Sequence, residues 1–253
     1  MELKNSVSII TGGASGLGEA TVRKLHSLGS KVCIFDLDNK KGHYLGEELG
    51  CDCAYFSVDV CNTNEISNAI EKVLNRFNKI DININCAGIA LVEKTLTKEG
   101  PHDFLRFKKI IDVNLIGTFN VLRLCAEKMS KNSLNSSKEK GIIINTASIA
   151  AIEGQKGQVA YSASKGAVAS MTLPIARDLA REHIRCCCIG PGLFFTPMFE
   201  GLGKEVCDTL AKDVTFPKRL GHPNEFAELA IHIIQNNYLN GSLIRLDGGI
   251  RLA

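Results

Sequence analysis

Tyr161 and Lys165 stand four residues apart in Tyr161-Ser162-Ala163-Ser164-Lys165, which puts both on one face of a helix, one turn apart. A phenol with its usual pKa of about 10 is a poor base near neutrality. An ammonium beside it favours the phenolate, and lowering that pKa to about 7 takes about 4 kcal/mol of differential stabilisation. So tuned, Tyr161 could accept a proton from an alcohol as hydride leaves the carbon, or return it in the reverse direction. The same spacing occurs on any amphipathic helix that carries a solvated lysine, so the pair needs company. Ser148 supplies it, closing Asn145-Thr146-Ala147-Ser148 at the carboxyl end of an apolar strand, where open α/β sheets bind ligands. Its hydroxyl could hold a substrate oxygen near Tyr161. Asn114, a poor helix former inside a helical pattern, could hold a water that links Lys165 to solvent, or act as a buried structural or capping residue.

A second cluster lies near the start of the chain. Thr11-Gly12-Gly13-Ala14-Ser15-Gly16-Leu17-Gly18 joins the first apolar run to the first helical pattern, where backbone N–H groups and the positive helix end can receive a pyrophosphate. Gly12 permits the tight turn, Gly16 the approach of phosphate, and Gly18 contact between helix and sheet. A plain strand-to-helix turn would use glycines too. Asp36 strengthens the reading, because a carboxylate ending the second strand can accept hydrogen bonds from an adenosine ribose. It would also repel a 2′-phosphate, and no Arg or Lys in the loop would receive one, so NAD(H) is expected over NADP(H). Asp59 and Val60, just past the third strand, are placed to address the adenine ring.

The elements that must position these residues follow from hydrophobic period. Strands are expected at Val7 to Ile10, Lys31 to Phe35, Ala54 to Val58, Asp81 to Asn85, Ile142 to Thr146, Ile184 to Ile189 and Leu243 to Leu246. Helices are expected at Glu19 to Leu28, up to about Leu49, and at Glu65 to Arg76, Phe104 to Met129, Tyr161 to His183 and Asn224 to Gln235. Repeated β-α units imply a parallel sheet with helices on both faces, and near-continuous apolar strands fit burial on both sides. Lys131 to Lys140, rich in Ser, Asn and Lys, suits a surface loop better than a domain boundary. The expectation is one domain over residues 1–253, in which Pro174 falls within a helical pattern and could kink it.

Composition narrows the classes. The 253 residues carry 30 Lys+Arg against 27 Asp+Glu, a net +3 without a basic stripe, which disfavours direct nucleic-acid contact. No run approaches the ~18 apolar residues of a membrane span. The 10 cysteines include Cys51, Cys53 and consecutive Cys186, Cys187 and Cys188, none at zinc-site spacing. They are expected as reduced thiols used as small hydrophobes. The six histidines show no ligand spacing either, so no metal is expected. The segment Met1 to Ser6 has no Arg-rich amphipathic pattern of an import signal.

Taken together, Thr11 to Gly18, Asn85-Cys86-Ala87-Gly88, Asn114, Ser148, Tyr161 to Lys165 and Pro191-Gly192 resemble the short-chain dehydrogenase/reductase family, in its order and over essentially the whole chain. The resemblance implies a seven-stranded Rossmann sheet and a catalytic tetrad of Asn114, Ser148, Tyr161 and Lys165. It implies a dinucleotide contacting Gly12, Ser15, Gly16, Leu17, Gly18, Asp36, Asp59, Val60, Cys86, Ala87 and Gly88. Lys165 would bind the nicotinamide ribose, and Pro191, Phe194 and Thr196 would close on the nicotinamide. Cys86 replaces a usual second Asn, and Cys187 an Asn that often precedes the Pro-Gly; neither belongs to the tetrad. Further likeness at Asn85 to Ala90, Gly117 to Asn120, Thr172 to Leu179 and Ile244 to Gly248 points to one branch of the family. That branch implies NAD-linked oxidation at C3 of a hydroxyacyl-CoA, steroid alcohols as further substrates, a homotetramer, mitochondria rather than cytoplasm, and a second role in tRNA processing. A steroid, sugar or acyl-carrier-protein dehydrogenase is the alternative of the same chemistry. Leu91 to Asp103 is expected to rim the substrate cleft, Gln155 to touch substrate, and Phe199, Leu202 and Leu210 to pack as a lid.

Overall fold

The computed structural model describes residues 1–197 and 204–252; Phe199 and Leu202 lie outside them. Seven parallel strands form one sheet in the order β3 (Cys53–Ser57), β2 (Lys31–Asp36), β1 (Val7–Thr11), β4 (Ile82–Asn85), β7 (Gly141–Thr146), β8 (Ile184–Pro191) and β9 (Leu243–Leu246). A separate two-stranded hairpin pairs β5 (Leu96–Thr97) with β6 (Gly100–Pro101). The strand order reverses between β1 and β4, and that switch opens a crevice at the carboxyl ends of the strands. This is the expected doubly wound sheet.

Alternation along each strand divides the core between two faces. Ile9, Phe35, Ile143 and Cys186 pack with Ile70 and Val73 of α3 (Thr63–Phe77), Leu122 and Cys125 of α5 (Thr118–Met129), and Ile175 of α6 (Val159–Asp178). Ile10, Ile34, Ile144 and Cys187 pack on the other face with Val22 and Leu25 of α1 (Gly16–Ser27) and with Phe226 and Ile233 of the helix Pro223–Gln235. Cys188 joins a third small cluster with Ala147 and Val168. The three consecutive cysteines therefore serve different parts of the core, as small hydrophobes do.

Sequence period missed some local features. The Phe104-to-Met129 pattern is two helices, α4 (Phe104–Ile111) and α5, joined by a wider π-helical turn over Asp112–Gly117 that contains Asn114. The expected Tyr161-to-His183 helix starts at Val159 and ends at Asp178, with Pro174 inside it. His183 then turns the chain with φ 58°. Helix α7 (Lys204–Lys212) and the β5–β6 hairpin were not anticipated. Met1 and Leu3 sit in the core. Glu139 anchors the Lys131-to-Lys140 loop by a buried ion pair with Arg185.

Candidate active site

The crevice is a cavity of about 430 Å³ that runs from Asp36 at one end to Ser148 and Tyr161 at the other. Every position expected to meet a dinucleotide lines it, as do Ser148, Tyr161 and Lys165. Gly12 has φ 64°, and a Cβ there would come within 2.8 Å of the Ala87 backbone nitrogen. At Gly18 a Cβ would lie 2.1 Å from the Gly12 carbonyl oxygen, so glycine lets α1 start directly against the loop. Ser15 stands at the N-cap of α1 without capping it by its side chain, which leaves first-turn N–H groups facing the cavity for an anion. Thr196 closes over the loop from the segment after β8, its Cγ2 3.4 Å from where a Gly16 Cβ would stand. The Asp36 carboxylate accepts from Ala14 N at 3.0 Å and Asp38 N at 3.0 Å, which fixes it beside the loop with lone pairs to spare. Glycine cradle, uncapped helix end and terminal carboxylate together fit the adenosine and pyrophosphate of a dinucleotide. Cavity size agrees with a small-molecule site.

At the other end, Ser148 caps a short 3₁₀ turn, its Oγ accepting from Ala150 N at 3.1 Å. The Ser148 hydroxyl lies close enough to the Tyr161 phenol to favour its ionised form. Lys165 is buried behind them, its Nζ 5.8 Å from the Tyr161 ring centre and donating to the Thr146 carbonyl at 2.8 Å. Burial lowers the Lys165 pKa to about 8, while the neighbouring Cys188 and Cys86 thiols oppose that shift. Burial also raises the Tyr161 phenol above its usual value, and the Ser148 hydroxyl only partly offsets it. Lys165 adds no lowering of Tyr161 in the chain by itself, its ammonium being turned toward Thr146.

Of the two parts open to Asn114, its side chain takes the buried structural one. Its Oδ1 accepts from Ile89 N at 2.8 Å, and its Nδ2 donates to Ile89 O at 2.9 Å and Ser164 Oγ at 3.1 Å. The side chain clamps the strand exit at Gly88 and Ile89, so a water relay would have to use its backbone carbonyl. A Cβ on Gly88 would lie 3.2 Å from Asn114 Oδ1 and 3.5 Å from Lys165 Nζ, so glycine is what fits between them. Gln155 is exposed and off the cavity wall; its N–H donates to Gln158 Oε1 at 2.9 Å in the loop before α6. The Leu91-to-Asp103 segment packs on that loop through Val92 over Gly157 and is likewise absent from the cavity lining. Leu210 lies on α7, also outside it. Cys86 does line the cavity, where burial raises its thiol to about 11. At that value it is not a ready nucleophile.

Sequence reasoning overlooked a buried amide ladder beneath the cavity. Asn85 donates to Asn83 Oδ1 at 2.9 Å and to Asn145 Oδ1 at 2.9 Å, tying β4 to β7. Its signal was visible as Asn alternating with Ile in Ile82-Asn83-Ile84-Asn85, since buried polar side chains require partners. Lys109 was also missed, and it adds a cation to the cavity lining near Asp59.

Nucleotide crevice, Ser148 and the Tyr161–Lys165 pair are the arrangement of a dinucleotide-dependent oxidoreductase. The family model for the short chain dehydrogenase matches residues 6–207, and the chain belongs to that family. Among curated relatives, 3-hydroxyacyl-CoA dehydrogenase type-2 of Homo sapiens is 48% identical over 99% of this chain and 97% of its own length. The crystal structure of 3-hydroxyacyl-CoA dehydrogenase type-2 from Mycobacterium avium superposes with TM-score 0.94 and 40% identity, covering 98% of this chain and 96% of that one. A 3-ketoacyl-(acyl-carrier-protein) reductase from Brucella melitensis, complexed with NADH, superposes with TM-score 0.86 and 27% identity, covering 98% of each chain.

Proposed function

We propose that this chain is an NAD-dependent dehydrogenase, a single domain over residues 1–253, that interconverts 3-hydroxyacyl-CoA and 3-oxoacyl-CoA. The observation that carries the reading is that Ser148, Tyr161 and Lys165 line one end of a cavity whose other end is built by the glycine loop and Asp36. The full-length likeness to 3-hydroxyacyl-CoA dehydrogenases type-2 supports the substrate, and the NADH complex of a structural relative supports the cofactor. NAD⁺, when bound, supplies the hydride acceptor. Asp36 would hold the adenosine ribose and the start of α1 the pyrophosphate. Ser148 fixes the alcohol oxygen beside Tyr161, which takes the hydroxyl proton as hydride leaves C3. Lys165 holds the nicotinamide ribose and favours the phenolate once a cationic ring adds to the local field.

Hydroxysteroid oxidation at the same site, mitochondrial localisation and a homotetramer complete the proposal. The first two follow the family branch that the sequence resembles. The tetramer has support in Ile116 and Phe119, next to and on α5, and in Leu173 on α6, all large apolar residues left exposed, since such patches mark association surfaces. Steady-state rates across 3-hydroxyacyl-CoA, hydroxysteroid, sugar and acyl-carrier-protein alcohols, each with NAD⁺ and NADP⁺, test the assignment. The acyl-CoA with NAD⁺ is expected to give the highest kcat/KM. A preference for NADP⁺ would refute the role of Asp36, and a better alcohol of another class would refute the substrate.

A further inference from the structure

We propose that Arg245 is a positioning residue for the alcohol side of the cleft, holding the turn after Ser148 and the turn after β8 at a fixed separation. The inference rests on the reading of Ser148 and Tyr161 given above. Arg245 lies on β9, outside the cavity lining, yet its guanidinium grips both walls. One fork meets Glu153, with Nη1 to Oε1 at 2.8 Å and Nη2 to Oε2 at 3.2 Å. Glu153 N in turn donates to Ile149 O at 3.0 Å, in the 3₁₀ turn that Ser148 caps. Nε reaches Asp247 Oδ2 at 2.7 Å, and Nη2 also donates to Ile250 O at 3.1 Å.

Asp247 is packed on Gly192, where a Cβ would lie 2.8 Å from the Asp247 Cα and Cβ. Gly192 N also donates to Leu246 O at 2.9 Å. Gly192 follows Pro191 and leads to Phe194 and Thr196, all lining the cavity. One planar guanidinium therefore spans from the Ser148 turn to the segment that closes over the glycine loop, a bidentate geometry that lysine cannot reproduce.

The surroundings reinforce this bridge. Arg251 contacts Glu153 at 3.5 Å and Asp247 at 3.3 Å, and Leu252 N donates to Glu153 Oε2 at 3.2 Å. Beneath the ions, Ile149, Val214 and Ile250 form a small apolar cluster with Leu193 and Leu252. Chain segments from four places thus meet at one network, and Arg245, more buried than Arg251, makes the shorter contacts to both Glu153 and Asp247. A shift of the Ser148 hydroxyl by a fraction of an ångström would misalign the alcohol, while Asp36 and the glycine loop would still hold the adenosine half of the cofactor.

The test compares Arg245→Met, Arg245→Lys and Glu153→Gln with wild type in steady-state oxidation of a 3-hydroxyacyl-CoA, with NAD⁺ affinity and thermal unfolding measured in parallel. Arg245→Met is expected to lower kcat/KM about tenfold, mostly through kcat, because small misplacements of reacting groups are costly. Glu153→Gln should move the same parameter in the same direction, and the Arg245→Met/Glu153→Gln double variant should be no worse than the worse single, as for two ends of one interaction. Arg245→Lys should recover part of the loss, with NAD⁺ affinity within about twofold of wild type throughout. Wild-type kcat and KM in both Arg245→Met and Glu153→Gln, with only the unfolding temperature lowered, would overturn the proposal. Tyr161→Phe is run alongside: turnover surviving in that variant would instead overturn the reading of the site on which the proposal rests.

Discussion

Burial holds the Tyr161 phenol above its usual range despite the nearby Ser148 hydroxyl, and it brings the Lys165 ammonium down to about 8. Oxidation of an alcohol needs Tyr161 without its proton, and reduction of a ketone needs it with the proton. Rising pH fills the first form and empties the second. With the phenol held above its usual value of about 10, we therefore expect kcat/KM for oxidation to climb with pH up to and beyond about 10, and for reduction to fall only as pH passes that value. Profiles measured in both directions check this, and parallel slopes would contradict it. Linkage gives a second consequence for stability. The folded pKa of Lys165 lies below its unfolded value, so its burial costs stability in full below about pH 8, and that cost is relieved as pH rises toward about 10.4. Residue types and spacing made Tyr161, Lys165, Ser148 and Asp36 legible as lining of one crevice, because strand ends and helix starts converge there in this topology. The exposed position of Gln155, off the cavity wall, was not legible, since a loop residue carries no period that tells its direction. The Asn114 clamp was unreadable because its partner, the Ile89 backbone, is distant in sequence and has no side-chain signature.

Each β-α unit brings one piece of the site to the same sheet edge, and glycine sets how closely the pieces meet. Gly18 is the tightest case, where any Cβ would strike the Gly12 carbonyl at 2.1 Å. Gly18→Ala must push α1 away from the loop that its N–H groups complete. We expect NAD⁺ affinity to fall about tenfold or more, equivalent to at least ~1.4 kcal/mol, with a folded sheet retained. Calorimetric titration measures it, and unchanged affinity would remove the loop from the binding account. At this scale the seven strands were readable because both faces of the sheet are covered and their apolar runs are unbroken. The β5–β6 hairpin escaped because its strands are only two residues each, too short to show alternation. The π-helical turn over Asp112–Gly117 escaped because one wider turn barely shifts a helical period.

Taken whole, the molecule leaves apolar surface on the α5 and α6 side, where Phe119 is 45% and Leu173 45% exposed. Helices packed across such a face by a second copy would bury it. The expected native mass is about four times the chain's 27.4 kDa, and Phe119→Glu should give a smaller assembly by placing a charge in that contact. Light scattering with size exclusion decides it, and a wild-type monomer would contradict the assignment. The overall architecture was legible from β-α alternation, whereas association was not. A helix apolar all round looks the same whether its outer face meets its own chain or another copy.

The central claim is that Tyr161 moves the proton when a secondary alcohol is oxidised in this crevice. It is tested most directly by NADH formation from a 3-hydroxyacyl-CoA in wild type and Tyr161→Phe, which removes one hydroxyl and leaves the ring. Wild type should turn over clearly, and the variant should lose about 10²-fold to 10⁴-fold, with NAD⁺ still bound. Turnover in Tyr161→Phe within a few-fold of wild type would contradict it.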